Sequence, residues 1–371
     1  MKTIPSVKQI VCGQPESAFC YFGWPSVNRL PDGTLAAVCS GFRLRHLCAF
    51  GKAVICYSYD EGKTWTAPAP VIDTLLDDRD AGITPFGGNR VFFASFNLSP
   101  AFCRKHNAQA GTPAQRKLIN AHLDYIESIE AYEKQLGSTF RISEDGGYTF
   151  GSLHFSPVST PHGPICLLDG SLLYIGRYFT PMDQYTDMSV PILSAWKLNE
   201  NDEFVKLGEI QNIRDEYGWL LSAEPHAVQL PDGKIIVHIR VQRDGEHRVF
   251  TLYQCESVDG GKTFTTPHQI LPDIGGSPAH LLVHSSGRII TTYGYRDAPF
   301  GVQVRFSDDG AQTWSEPYLL EGDCQGGDLG YPATVELKDG SLLTVYYESY
   351  YSDQPEQSSI MQRVWNLPEK E

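Results

Sequence analysis

Four times the chain runs Ser-x-Asp-x-Gly-x-Thr and then Trp or Phe. The copies are Ser58 to Trp65, Ser143 to Phe150, Ser257 to Phe264, and Ser307 to Trp314, where Ala311 takes the Gly place. The chemistry of the octapeptide is local. Its Asp and Ser/Thr side chains bond turn backbone, its Gly supplies φ > 0, and its aromatic plugs the apolar layer beneath. A second pattern repeats beside it, an apolar stretch, a tight Asp-Gly-type turn and another apolar stretch. It occurs at Leu30 to Leu35, Leu168 to Leu172, Leu230 to Ile235, Ser286 to Ile289 and Lys338 to Leu342, with a looser copy at Phe86 to Val91. Each reads as a β-hairpin. Self-similarity on this scale points to a repeat architecture.

Composition narrows the classes. Gly (34) and Pro (24) imply many turns, while 41% hydrophobic and 12% aromatic residues exclude a disordered chain. Thirty basic against 44 acidic residues leave a net charge of −14, which opposes general nucleic-acid binding. No run of 18 apolar residues exists, so no membrane span is expected. The start, Met1 to Ser6, lacks the apolar core of a signal peptide, and the nine cysteines show no CxxC or Cys/His metal spacing. The expectation is a reduced, cytoplasmic protein without a cofactor.

The octapeptides resemble Asp-boxes, and over nearly its whole length the chain resembles the sialidase superfamily of β-propellers. Box starts are separated by 85, 114 and 50 residues. A blade of about 50 to 57 residues accounts for these as one blade plus an insertion, two blades with one box missing, and one blade. The resemblance and the six hairpins together imply an all-β, six-bladed β-propeller, residues 1–371 forming one domain. The last blade then has three strands from Tyr331 to about Asn366, and a strand near Lys8–Cys12 supplies its fourth. The insertion, about 100–137, leaves between the second and third strands of blade two. Thr112-Pro113 fits an N-cap followed by Pro at the first helical position, and Leu118, His122, Tyr125, Ile129 and Tyr132 recur at helical spacing. A lid and a homodimer surface both remain open for it.

In a propeller the starts of innermost strands and the ends of second strands converge on one mouth. That gathers Trp24, Asp80, His162, Glu224, His226, His280 and Tyr331 with Arg43, Arg45, His46, Arg177, Arg240 and Arg296. So many arginines in an acidic chain imply a pocket for an anion. Asp80 and Asp328 fall at blade starts, as acid/base groups or as loop caps. Trp24 reads as a sugar platform or a core plug. The three histidines read as core or rim groups rather than a metal set, there being no local metal spacing.

Glu224-Pro225-His226, ending in Arg240, resembles the sialidase segment in which a catalytic Glu opens an inner strand and an Arg closes the next. Tyr331-Pro332-Ala333 is similar to the strand that opens with that family's nucleophilic Tyr, and Arg296 sits where the family places a further carboxylate-binding Arg. The resemblance implies Tyr331 as nucleophile, Glu224 as its base, and Arg240 with Arg296 as the clamp on an acidic sugar. Two departures stand out. The first-blade Arg is replaced by the stretch Phe22-Gly23-Trp24-Pro25, and the first-blade loop, Gly41 to Phe50, holds no Asp. Arg43 or Arg45 is the candidate to restore the clamp and His46 the candidate acid. A uronate lyase and a non-catalytic carbohydrate-binding propeller are the rival readings, and the partner expected in every case is a carbohydrate.

Overall fold

The computed structural model describes residues 1–107, 110–181, 186–272, 274–349 and 357–370. Each of the six short turns joins the first two strands of a sheet, and among the described residues the strands form six sheets. Blade I holds Tyr21–Arg29, Leu35–Arg43, Lys52–Ser58 and Ala69–Ile72, and blade II holds Asp77–Phe86, Arg90–Leu98, Ser138–Ser143 and His154–Ser156. Blade III has its inner edge in two pieces, Val158–Ser159 and Ile165–Cys166, both paired to Leu172–Tyr178. Blades IV and V follow the common pattern from Gly218–Gln229 and Ala279–Val283 outward.

Closure uses the two ends of the chain. Blade VI is Gly330–Glu336, Leu342–Glu348, Ser359–Trp365 and, antiparallel to the last, Ser6–Cys12. The N-terminal segment does more than the sequence suggested, because Lys2–Thr3 also pairs in parallel with Tyr318–Glu321 of blade V. An ion cluster locks this seam. Lys8 Nζ meets Glu321 at 2.9 Å and Glu348 at 2.5 Å, and Arg363 donates to Glu321 at 2.6 Å.

The apolar core is divided. One cluster lies between each pair of neighbouring blades, from Val27 and Val345 at the seam of blades VI and I to Val304 and Met361 between blades V and VI. The boxes serve those seams. Trp65, Phe150, Phe264 and Trp314 pack against four of the inter-blade clusters, and Trp65 Nε1 donates across the seam to Gln362 at 2.8 Å. Inside each box one carboxylate organises the turn: Asp60 accepts from Ser58 Oγ, from Thr64 N and, at 2.6 Å, from Thr64 Oγ1. Blade III lacks a box, and Asn199 Oδ1 takes over by accepting the N–H groups of Asn201 and Glu203.

The insertion is helical as its caps imply. Helix α1 spans Pro100–Asn107 and helix α2 spans Pro113–Ser128, with a complete capping box between Thr112 and Gln115. Its buried face, Ile119, Leu123 and Ile126, packs with Leu44, Cys48 and Ala49 of the first-blade loop, and His122 stacks on Phe50 at 4.3 Å. The insertion therefore braces the loop that carries His46.

Acid should open this ring. Glu321 is held at about 2 mainly by Arg363, Lys8 and Tyr346 against its burial, and Asp60, Asp259 and Asp309 are held at about 2 by their box hydroxyls and amides. These folded values lie below the unfolded carboxyl range of about 4, so the stability they supply is complete above that range and lost as pH falls toward 2. The urea midpoint is expected to fall as pH drops below about 6.5, where the unfolded state protonates His162, His226, His238 and His280, which the fold keeps buried and neutral, and to fall further below about 4. Glu321→Gln is expected to cost about 2 kcal/mol at pH 7 and to flatten the acid slope.

Candidate active site

The site is built on a backbone irregularity repeated in four blades. In blades I, II, IV and VI the register of the inner strand slips by one residue, two inner-strand residues opposing one, between Gly23 and Ser26, Arg79 and Gly82, Ala223 and His226, and Gly330 and Ala333. The first bulged residue is left-handed each time: Trp24 at φ 55°, Asp80 at 43°, Glu224 at 48° and Tyr331 at 49°. Such a conformation costs a non-glycine residue about 1–3 kcal/mol and clusters at functional sites. Pro25, Pro225 and Pro332 follow three of them, so the bulges sacrifice no ladder N–H at those positions.

Two of the bulges meet. Tyr331 Oη donates to Glu224 Oε1 at 2.6 Å, and Arg240 Nη1 donates to Glu224 Oε2 at 2.6 Å and to Tyr331 Oη at 3.1 Å. The Arg296 guanidinium lies 5.3 Å from the Tyr331 ring centre and donates to the Leu329 carbonyl and to Tyr347 Oη. Burial and the neighbouring Glu224 carboxylate push the Tyr331 phenol well up, while Arg240 and Arg296 pull the other way, so Tyr331 rests protonated. Asp80 is buried beside Arg79 and Glu224, and desolvation raises its carboxyl to about 7. It shares a cleft of about 130 Å³ with Glu224, Arg177, Phe96 and Phe179. Arg177 donates to Thr186 at 2.6 Å, and its Nε is buried without a partner.

A second polar group borders the first. Asp328 accepts from Tyr21 Oη (Oδ2, 2.8 Å), Tyr347 Oη (Oδ1, 2.8 Å) and His46 Nδ1 (Oδ1, 3.0 Å). Tyr347 also packs 6.1 Å from Tyr331, which joins the two groups into one wall.

Other expected residues lie elsewhere. Arg43 is fully buried in a two-pronged pair with Asp77 at 2.5 and 2.8 Å and also donates to the His46 carbonyl. Gly51 packs so tightly there that a Cβ would strike both partners. Arg45 turns toward Gly111 of the insertion, its Nε donating to the Leu47 carbonyl. Neither restores the missing first-blade Arg. Trp24 is 1% exposed, with Arg79 3.9 Å above its ring and His46 at its edge, so it is a plug. His162, His226 and His280 cluster at 4.2 to 5.4 Å between ring centres along an axial channel, beyond the bulges. His226 and His280 each accept a backbone N–H at Nδ1, from Leu281 and Thr334, which leaves Nε2 carrying the proton rather than a lone pair.

Sequence reasoning missed Arg79, Tyr21 and Tyr347. A signal existed for Tyr347: the 16-residue step from Glu224 to Arg240 also leads from Tyr331 to Tyr347 and from Asp80 to Phe96. Arg43, as a buried partner, is expected to behave as a structural residue. Arg43→Met removes the two-pronged partner of buried Asp77, leaving Arg79 at 3.8 Å, and is expected to cost about 3 kcal/mol in a denaturant titration.

Residues 125–344 match the BNR repeat-like domain, more than half of the chain. Among solved structures, a Dyadobacter fermentans protein of unknown function superposes with a TM-score of 0.73 at 19% identity, covering 99% of this chain and all of that one. The intramolecular trans-sialidase of Ruminococcus gnavus, solved with oseltamivir carboxylate, gives 0.63 at 14% over 98% of this chain and 97% of its own. The NanB sialidase of Streptococcus pneumoniae gives 0.67 at 12% over 97% of this chain and 70% of its own. No curated protein sequence matches significantly. With six blades and four boxes in place, this chain belongs to the BNR repeat-like domain family and shares the fold of the solved sialidases.

Proposed function

We propose that the protein is a glycoside hydrolase that removes a terminal acidic sugar, sialic-acid-like or uronic-acid-like, from a glycan or small glycoside. The observation that carries this reading is the mutual contact of Tyr331, Glu224 and Arg240 at the heads of two strained bulges. A buried phenol is a poor nucleophile until a base removes its proton. Glu224 is in place to take it as the Tyr331 oxygen attacks the anomeric carbon. The transfer neutralises Glu224, so Arg240 faces the sugar's carboxylate with its charge less compensated. Stabilisation then grows toward the transition state, where it accelerates the reaction. Arg296 adds a second cation to that wall, each charge-assisted contact contributing about 1.5–3 kcal/mol. A tyrosine in place of a carboxylate nucleophile avoids repulsion by an acidic substrate. Asp80 and Arg177, beside Glu224, contact the sugar's substituents. His46 protonates the leaving oxygen.

The test is mass spectrometry of products from a panel of sialosides and uronosides. Products whose summed mass gains one water are expected from the wild type. Tyr331→Phe is expected to lower kcat at least 10³-fold with an unchanged Tm; a fully active variant refutes the mechanism. Burial lowers the His46 pKa below its ordinary 6.5, although Asp328 opposes this, so kcat/KM is expected to fall as pH rises through a value under 6.5. The same low pKa favours one alternative, a uronate lyase in which neutral His46 abstracts a carbon-bound proton. Cleavage without water gain identifies it.

A further inference from the structure

His46 and Asp328 are 282 residues apart in sequence, yet their side chains meet at 3.0 Å where blade I borders blade VI. His46, Tyr21 and Tyr347 together hold the Asp328 carboxyl at about 2 against its partial desolvation, so it is ionised and only accepts. The proton between the two groups therefore belongs to His46 Nδ1. Tyr21 and Tyr347 occupy the rest of the carboxylate, leaving it no freedom to turn. Both the backbone and the ring of His46 are held. Arg43 and Arg79 donate to the His46 carbonyl at 3.1 and 2.9 Å, Trp24 packs at 4.9 Å, and the Tyr21 hydroxyl lies 3.0 Å from Nδ1. The side chains of His46 and Asp328 nevertheless remain 42% and 40% exposed.

We infer that Asp328 is the positioning residue of the site, holding His46 with Nδ1 protonated and Nε2 turned to the mouth, so that Nε2 delivers and recovers the catalytic proton. The inference rests on the glycosidase reading above. In the first half-reaction the Tyr331–carbon bond forms as the glycosidic C–O bond breaks. The phenolic proton passes to Glu224, and the leaving oxygen takes the proton from His46 Nε2. In the second, a water oxygen bonds the anomeric carbon while its proton goes to Nε2, and the tyrosyl bond breaks as Glu224 returns its proton to Tyr331. The sum is glycoside plus water to sugar plus alcohol, with every residue restored. A His–carboxylate pair thus occupies the loop in which the sequence lacks an acid of its own.

Nitrogen-15 NMR of histidine-labelled full-length protein tests this without any substrate. The His46 signals, assigned by their loss in His46→Gln, are expected to show a protonated Nδ1 and a pyridine-like Nε2 above the titration. In Asp328→Asn the titration is expected to move to lower pH and the tautomer preference to weaken. With an acidic glycoside that the wild type cleaves, kcat in that variant is expected to fall about 100-fold with KM within threefold, and Asp328→Glu to recover part of it. A wild-type His46 protonated at Nε2 instead overturns the inference, as does a titration unmoved in Asp328→Asn. If the expected tautomer and shift are present but the wild type cleaves no acidic glycoside, the glycosidase reading fails while the pairing stands.

Discussion

A regular β-strand sends alternate side chains to opposite faces of its sheet, and in a propeller blade those faces belong to the neighbouring blades. Nothing in that pleat turns a side chain toward the mouth. The two-residue bulge does so, by rotating one residue into the left-handed region and aiming it along the axis. Glu224 and Tyr331 are 107 residues apart and on different blades, yet they meet at 2.6 Å because the same irregularity occurs in both. The ring makes the strain tolerable. Each bulge sits where a wide inter-blade apolar seam holds the strand on both sides of it, so relaxation of one residue would disturb two cores.

The charge arrangement follows from the same geometry. The protein carries a net −14, but the second strands of blades III and IV carry Arg177 and Arg240 near their ends, and that of blade V stops just before Arg296. Buried cations of this kind are tolerated only with partners. Arg43 obtains its partner from Asp77 and becomes part of the scaffold, whereas Arg240 shares a carboxylate with Tyr331 and Arg296 has carbonyl, phenol and aromatic neighbours. In the proposed reaction this incomplete compensation is what favours an anionic substrate. Asp80 is raised to about 7 chiefly by desolvation, with the neighbouring Glu224 charge adding to it against Arg79.

Much of the fold was legible because its signals are local. An Asp-box closes within eight residues, a hairpin turn within four, and the Thr112–Gln115 cap within one helical turn, so each can be read without knowing its neighbours. The Tyr331, Glu224 and Arg240 trio was legible through a resemblance in which residue type and hairpin spacing agree. The loop residues were not. Arg43 and Arg45 are two positions apart, and side-chain type cannot say that one turns inward to Asp77 and the other toward the helical insertion. Trp24 shows the same limit, since an aromatic at a mouth position becomes a plug only once Arg79 covers its ring.

What the sequence determined by itself was the repeating unit, the number of blades, the helical insertion and the strand that closes the ring. Turn chemistry, capping and apolar alternation all act over a few residues, and they agree with one another here. Tertiary structure alone decided which charges pair. His46 with Asp328, Arg43 with Asp77 and Lys8 with Glu321 join residues from 34 to 313 positions apart, and only the packing of blade against blade brings them within bonding distance. Whether an arginine supports a loop or faces a ligand depends on the carboxylate that arrives beside it, and no local pattern encodes that arrival.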